Sequence, residues 1–215
     1  NVAHAAGHTG VGTKVCVLSD GVDSLAARKA SGDLPASVTV LPGQAGSGDE
    51  GTAMLEIVHD MAPGASLVFA SAFGSVAQFA TNIIDLRNNA ACDIIVDDIT
   101  YFNEGAFQDG PIAQAVNTVT AAGAIYLSSA ANSGNLTHGT SGTFEGDFVA
   151  SGSPLPAVIT AAGVTGEPQA FGALNYTTLT KATQFVSLKW SDPLGGSGND
   201  YDVIVTNAAG TTILG

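Results

Sequence analysis

Positive charge is nearly missing from this chain. Six Lys and Arg stand against 19 Asp and Glu in 215 residues, a formal net charge of −13 at pH 7. Nucleic-acid binding draws on basic surface that displaces counterions, so that class of function is excluded. Charged residues of both signs make up only 12%, while hydrophobic residues reach 45% and mean hydropathy is +0.28. That balance excludes a disordered or coiled-coil chain and supports a large buried core. Long apolar runs are also lacking, none approaching the roughly 20 residues that cross a bilayer, so no membrane partner is expected. The two cysteines, Cys16 and Cys92, approach each other if their strands are neighbours in a parallel sheet, but buried free thiols are the preferred expectation, because the geometry of a cross-strand bridge is demanding. Met is missing from position 1, and the Asn1-Val2 start is read as the product of a removed leader or pro-segment. The acidity suits work at low pH, where carboxyl protonation relieves self-repulsion, and equally suits a simple solubility role.

What is present is an alternation of short apolar runs with amphipathic stretches. Strands are expected at Lys14–Leu18, Val38–Leu41, Leu67–Ala70, Ile94–Val96, Ala124–Ser128 and Ala157–Ala162. Helices are expected at Ser24–Ala30, Thr52–Met61, Ser75–Asn88 and Pro111–Ala122. This order predicts an α/β fold, a doubly wound and mostly parallel sheet with right-handed crossovers. Sites in such sheets lie at the carboxyl ends of strands, where Asp20, Asp97, Asp98 and Asn132 fall. From about Phe171 the texture changes. Thr183–Trp190 and Tyr201–Thr206 alternate apolar and polar residues around a Gly/Asp turn, the pattern of an antiparallel hairpin opening a β-sandwich. Residues 1–170 are therefore assigned to the α/β domain and 171–215 to part of a β module.

The most informative stretch runs from Asp49-Glu50-Gly51-Thr52 through a helix to Ala62-Pro63-Gly64-Ala65. It resembles the helix of subtilisin-like serine proteases that opens on the catalytic His and ends at a similar Ala-Pro stop. Glu50 stands in the place of that His, as a Glu does in the sedolisins, the acid-acting relatives of subtilisins. The spacing from Glu50 to Ala62 equals that from the sedolisin Glu to its Ala-Pro-Gly-Ala stop. Three further segments resemble the subtilase order. Val15–Asp23 looks like the strand ending in the triad Asp, Ile95–Asp98 like the strand that walls the substrate groove, and Ser128–Gly134 like the segment whose Asn donates to the oxyanion. Two departures matter. The chain reads Ser19-Asp20-Gly21 where subtilases read Asp-Ser/Thr-Gly, so Asp20 serves only if the strand has already broken into its turn, and Asp23 is the reserve. The Asp that sedolisins carry one helical turn after their Glu is here Met54.

The resemblance implies a hybrid site. Glu50 is the general base, Asp20 its carboxylate partner and Asn132 the oxyanion donor, with Asp97 and Asp98 lining the groove or binding a basic substrate side chain. Two carboxyls in hydrogen-bond reach resist double ionisation and share one proton, which sets the base to work in acid. The nucleophile is the missing part. The one Gly-Thr-Ser, Gly139-Thr140-Ser141, comes nine residues after Asn132 with no apolar helix behind it, and reads as a loop. The serine is expected on a second chain or a segment outside these residues. No cofactor is required. The carboxylates Asp192, Asp200 and Asp202 leave room for calcium, although their spacing matches no sharp motif and a solvated turn explains them. The expectation is a secreted or extracellular serine endopeptidase acting on polypeptides. Its rivals are a non-catalytic subtilase-like domain that binds peptide or a partner and, more remotely, a receiver-like phosphoacceptor, which lacks the acidic pair and strand-end Lys it would need.

Overall fold

A computed structural model describes residues 2–179 and 185–215, which form two compact units, residues 1–132 and 133–215. The first unit opens with a short helix, α1 (Val2–Ala5). It continues as β1 (Lys14–Ser19), α2 (Leu25–Ser31), β2 (Thr39–Val40), α3 (Glu50–Met61), β3 (Ser66–Ser71), α4 (Val76–Asn88), β4 (Ile94–Asp97), α5 (Pro111–Ala121) and β5 (Ile125–Ser128). The five strands form one wholly parallel sheet in the order β2-β3-β1-β4-β5. The expected α/β class is thus observed. β1 is central and both its faces are apolar, which is why it reads as an unbroken hydrophobic run.

Side-chain alternation divides the core in two. Val15 and Val17 of β1, with Leu67 and Phe69 of β3, meet Leu25 and Leu34 and Leu55 of α3 on one face. Cys16 and Leu18, with Val68 and Ile95, meet Phe79, Ile83 and Leu86 of α4 and Val119 of α5 on the other. Ser75 caps α4 by accepting a hydrogen bond from the Gln78 backbone N–H. Pro111 begins α5, where its missing N–H costs nothing.

The expected uniform handedness does not hold. Passing from β3 to β4 and from β4 to β5 moves in one direction along the sheet, with α4 and α5 on the second face. Passing from β2 to β3 moves in that same direction with α3 on the first face. The α3 crossover therefore has the opposite hand to these two. The β1-to-β2 connection, which moves the other way with α2 on the first face, agrees with the majority. Parallel crossovers are right-handed in about 98% of cases, so the exceptional connection through α3 is the left-handed one. The physical reason is space. With α4 covering β3 and β4 on the second face, α3 buries its apolar stripe beside α2 on the first.

Cys16 and Cys92 are joined by a disulfide with a Cα–Cα distance of 6.0 Å, which corrects the expectation of free thiols. Cys16 lies mid-strand and Cys92 two residues before β4, so the parallel register brings the two side chains together beneath α4. Both are fully buried.

Among its described residues the second unit holds one helix, α6 (Ala157–Ala161), where a strand was expected over 157–162. Pro156 at its N-cap and Gly163 at φ 85° just beyond it bracket an Ala-rich run that closes as a short helix. Isolated bridges join Ala150 to Gln169, Phe171 to Leu174 and Thr206 to Ile213, and no strand forms among the described residues of this unit. Residues 183 and 184 of the expected hairpin lie outside the described residues. Across the turn, the Trp190 and Tyr201 rings meet edge to face at 5.4 Å. Among the described residues no helix is long and apolar enough to cross a membrane.

Candidate active site

β1 ends at Ser19, so Asp20 lies beyond the strand in the turn, the condition its role required. Its Oδ1 accepts hydrogen bonds from the backbone N–H groups of Gly21 (2.5 Å) and Gly51 (3.1 Å). Its own carbonyl accepts from Ser47 N–H. Asp20 thereby ties the carboxyl end of the central strand to the first turn of α3. Glycine is required for this closeness. A Cβ on Gly48, which adopts φ 117°, would strike the Asp20 carboxylate, and one on Gly51 would strike the Phe69 ring. Asp49, one residue before α3, accepts from both the backbone N–H and the hydroxyl of Ser24 (2.7 Å each) and from the Thr52 hydroxyl (3.0 Å). These hydrogen bonds, the Ser24 hydroxyl foremost, hold its carboxyl below the usual aspartate range.

Glu50 opens α3 at the carboxyl ends of β1 and β4. Its carboxyl lies close to that of Asp98, the residue immediately after β4, and it feels the charge of Asp20 as well. The Asp98 hydrogen bond, then partial burial, then the charges of Asp98 and Asp20 push the Glu50 carboxyl above the ordinary glutamate value. Three of the expected residues, Asp20, Glu50 and Asp98, therefore converge. The carboxyl that acts most strongly on Glu50 is that of Asp98, whereas Asp20 was the partner expected from sequence. Asp98 reaches Glu50 because β4 lies next to β1 in the sheet and the Asp98 N–H donates to the Leu18 carbonyl (3.2 Å), which fixes the strand end.

Asp97, expected to line the groove, is turned the other way. It is 4% exposed and shares the α4–α5 face with Ile95. Its Oδ2 accepts from the Tyr126 hydroxyl (2.6 Å) and its Oδ1 from the Ser128 hydroxyl (2.7 Å). Burial raises the Asp97 carboxyl despite these bonds, and burial together with Asp97 raises Tyr126. Its work is to pin β5 to β4. Sequence reading missed Tyr126 and Ser128, whose only signal was strand alternation placing both near the carboxyl end of β5. Removing the Tyr126 hydroxyl leaves a buried carboxyl one donor short, so Tyr126→Phe is expected to cost about 1–3 kcal/mol in urea unfolding at neutral pH. A loss below about 0.5 kcal/mol would show that Asp97 finds another partner.

Asn132 follows β5 in an exposed turn at the carboxyl edge. Ala131, just before it, is held at φ 58°, a left-handed conformation that non-glycine residues seldom adopt. Gly139-Thr140-Ser141 lies in an irregular segment of the second unit, and the Ser141 hydroxyl accepts from the Thr143 N–H. No helix begins at Ser141, and the next one among the described residues is α6 (Ala157–Ala161). In the Asp192 turn the carboxylate accepts from the Ser197 hydroxyl, the Gly198 and Asn199 N–H groups and the Asn199 side-chain amide. Asp192 is thus committed to closing its own turn, and the described residues bring together no group of three or more His, Cys, Asp or Glu able to hold a metal.

Compared with protein-family models and with curated proteins, the chain matches none.

Proposed function

We propose that residues 1–132 carry the acid–base half of a serine endopeptidase that works in acid. The observation that carries this reading is the cluster of three carboxyls at the strand ends, Glu50 at the start of α3, Asp98 after β4 and Asp20 tied to α3 through the Gly51 N–H. Two carboxyls that share a proton leave one oxygen basic while the other donates, and the charge of Asp20 makes loss of that proton harder still. In the peptidase reading Glu50 takes the proton of a serine hydroxyl as the oxygen attacks the peptide carbonyl. The proton then passes to the leaving amine, and the acyl ester is cleaved by water activated by the same carboxylate. Asp98 orients Glu50 and shares its proton. Asp20 holds the first turn of α3 through Gly51. The Asn132 amide donates to the oxyanion, a contribution of about 3 kcal/mol in such sites.

The serine comes from a segment outside residues 1–215, and the substrate is a polypeptide. The buried disulfide supports an oxidising, extracellular setting, since such bridges are rare in reducing compartments. The Trp190–Tyr201 contact supports an antiparallel β module around the Asp192 turn. The irregular backbone at Ser141, where no helix begins, favours a second reading, a non-catalytic domain that binds peptide.

The test is to purify the protein with whatever polypeptide accompanies it, identify that partner by intact mass under denaturing conditions, and assay peptide hydrolysis from pH 3 to 8. An acid optimum governed by carboxyl ionisation is expected. A rate that climbs through neutrality with a histidine-like pKa would reject the Glu50 base, and no hydrolysis at any pH would favour the binding domain.

A further inference from the structure

On the second face of the sheet, the flank of α4 and the loop after the edge strand β2 border a cavity of about 330 Å³. Its polar lining is Gln44, Gln78, Asn82, Asp85 and Asn89, and its apolar wall is Leu41 and Pro42. Positions 78, 82, 85 and 89 recur at helical spacing, so α4 presents them as one stripe. Asn82 organises the set. It is 1% exposed, and its amide donates to the Ser71 carbonyl (2.8 Å) and to Gln44 Oε1 (2.7 Å), while its Oδ1 accepts from Gln78 Nε2 (3.0 Å). A main-chain carbonyl can only accept, so the Ser71 bond fixes which way the Asn82 amide points, and both glutamine amides follow. At the end of α4 the Asn89 amide donates to Asp85 Oδ1 (2.8 Å). Among the described residues no donor then meets Gln78 Oε1, Asp85 Oδ2 or Asn89 Oδ1, and no acceptor meets the Gln44 amide N–H groups.

We propose that this cavity binds the guanidinium group of arginine, as the free amino acid or as a residue of a polypeptide. The hydrogen-bond inventory carries the class. Acceptors outnumber donors along the stripe, so the ligand is rich in donors, and guanidinium offers N–H groups in a planar fork and no acceptor. Charge points the same way. Asp85 has no Lys or Arg partner among the described residues, because those of the first unit are engaged elsewhere. Lys14, Lys29 and Arg87 donate to main-chain carbonyls, and Arg28 pairs with Asp33 and Glu56. Asp85 and Asn89 also lie at the carboxyl end of α4, where the helix dipole favours a cation. Guanidinium is flat and weakly hydrated, so it can rest on Leu41 and Pro42 while its edge donates to Asp85 and Asn89. A lysine ammonium is a compact, strongly hydrated point charge and suits acceptors spread along a helix less well. Gln44, bonded to Asn82 one turn earlier, is placed to donate to the carbonyl or carboxylate of the same arginine. The cavity lies on the opposite face of the sheet from α3 and does not depend on the proteolytic reading.

The probes are L-arginine and N-acetyl-L-arginine methylamide, which presents arginine as it stands within a chain. Each is titrated into isotope-labelled protein at pH 7 and about 0.15 M NaCl, which screens exposed carboxylates. The side-chain amide NMR signals of Gln44, Gln78 and Asn89 should shift saturably, with Kd of about 10 mM or tighter for L-arginine. L-citrulline, nearly the same shape with a neutral urea end, should bind at least about tenfold more weakly, and Asp85→Asn should weaken L-arginine by a similar factor. Asn89→Ala, at an exposed position, should weaken it about threefold, whereas Asp60→Asn on α3 should leave it unchanged. Saturation by the capped probe assigns the site to an arginine of a polypeptide, and saturation by L-arginine alone assigns it to the free amino acid. The proposal is overturned if neither probe saturates or if citrulline binds as well as arginine. It also fails if the Asp85→Asn and Asn89→Ala proteins, shown folded by circular dichroism, bind L-arginine as the parent does.

Discussion

Replacing Cys16 and Cys92 together by alanine should lower the free energy of unfolding by about 2–5 kcal/mol. The bridge spans 76 residues and encloses α2, β2, α3, β3 and α4, and loop closure of that length restricts the unfolded chain by roughly 4–5 kcal/mol at 25 °C in the chain-entropy account. Both half-cystines are fully buried, so the alanine pair also leaves a small cavity beneath α4. Urea unfolding with and without reductant measures the effect. A difference under about 1 kcal/mol would mean that packing alone holds β1 to β4. The buried sulfurs should also resist reduction until the first unit opens, which makes the bridge a reporter of global unfolding.

Glu50→Gln should act in opposite directions on stability and on catalysis. The folded-state pKa of Glu50 is raised, so the folded protein binds its proton more tightly than the unfolded chain does. The sign follows directly. Below the unfolded value both states carry the proton and there is no penalty. As pH rises through the unfolded and then the raised folded value, stability is lost, and the full cost persists at neutrality. The neutral amide removes that cost. The variant should therefore melt higher than the parent at pH 7, with the gain vanishing near pH 4. Solvent screening of this exposed residue keeps the gain to a fraction of a kcal/mol. Asp98→Asn should reproduce the pattern, because it removes the first and third causes of the shift. In the proposed peptidase the same Glu50→Gln change should reduce kcat by about 10²–10⁴-fold, the worth of a general base. Melting curves from pH 3.5 to 8, paired with turnover numbers, test both halves. A lower melting temperature at pH 7 would show that the Glu50–Asp98 pair binds the fold together instead of straining it.

The sequence made most of the first unit legible because its signals are local. β1 announces itself by an apolar run, α4 by Ser75 and helical spacing, and α5 by Pro111, and each lies within a residue or two of its expected bounds. The same local signals placed Glu50 at a helix start and Asp20 past a strand end. The partnership of Glu50 with Asp98 was not legible, because it depends on which strand adjoins β1, a property of the sheet and not of any segment. The disulfide was hidden for the same reason, since Cys16 and Cys92 meet only through the β1–β4 register. The reversed hand of the α3 connection runs against the strong general preference and has no local signature. The helix at 157–161 was misread because a five-residue apolar run shows no period, and the prolines before it were not weighed.

Gly48 and Gly51 bracket the proposed base, one holding room for the Asp20 carboxylate and the other for the Phe69 ring. Neither has a side chain with which to touch a substrate. Mutational drift at these two positions would nonetheless reach the chemistry first, by levering the carboxyl cluster apart from beneath, while many residues closer to solvent could vary freely. The site's tolerance to change is thus set by empty space, and the positions most able to silence it are those with the least to contribute.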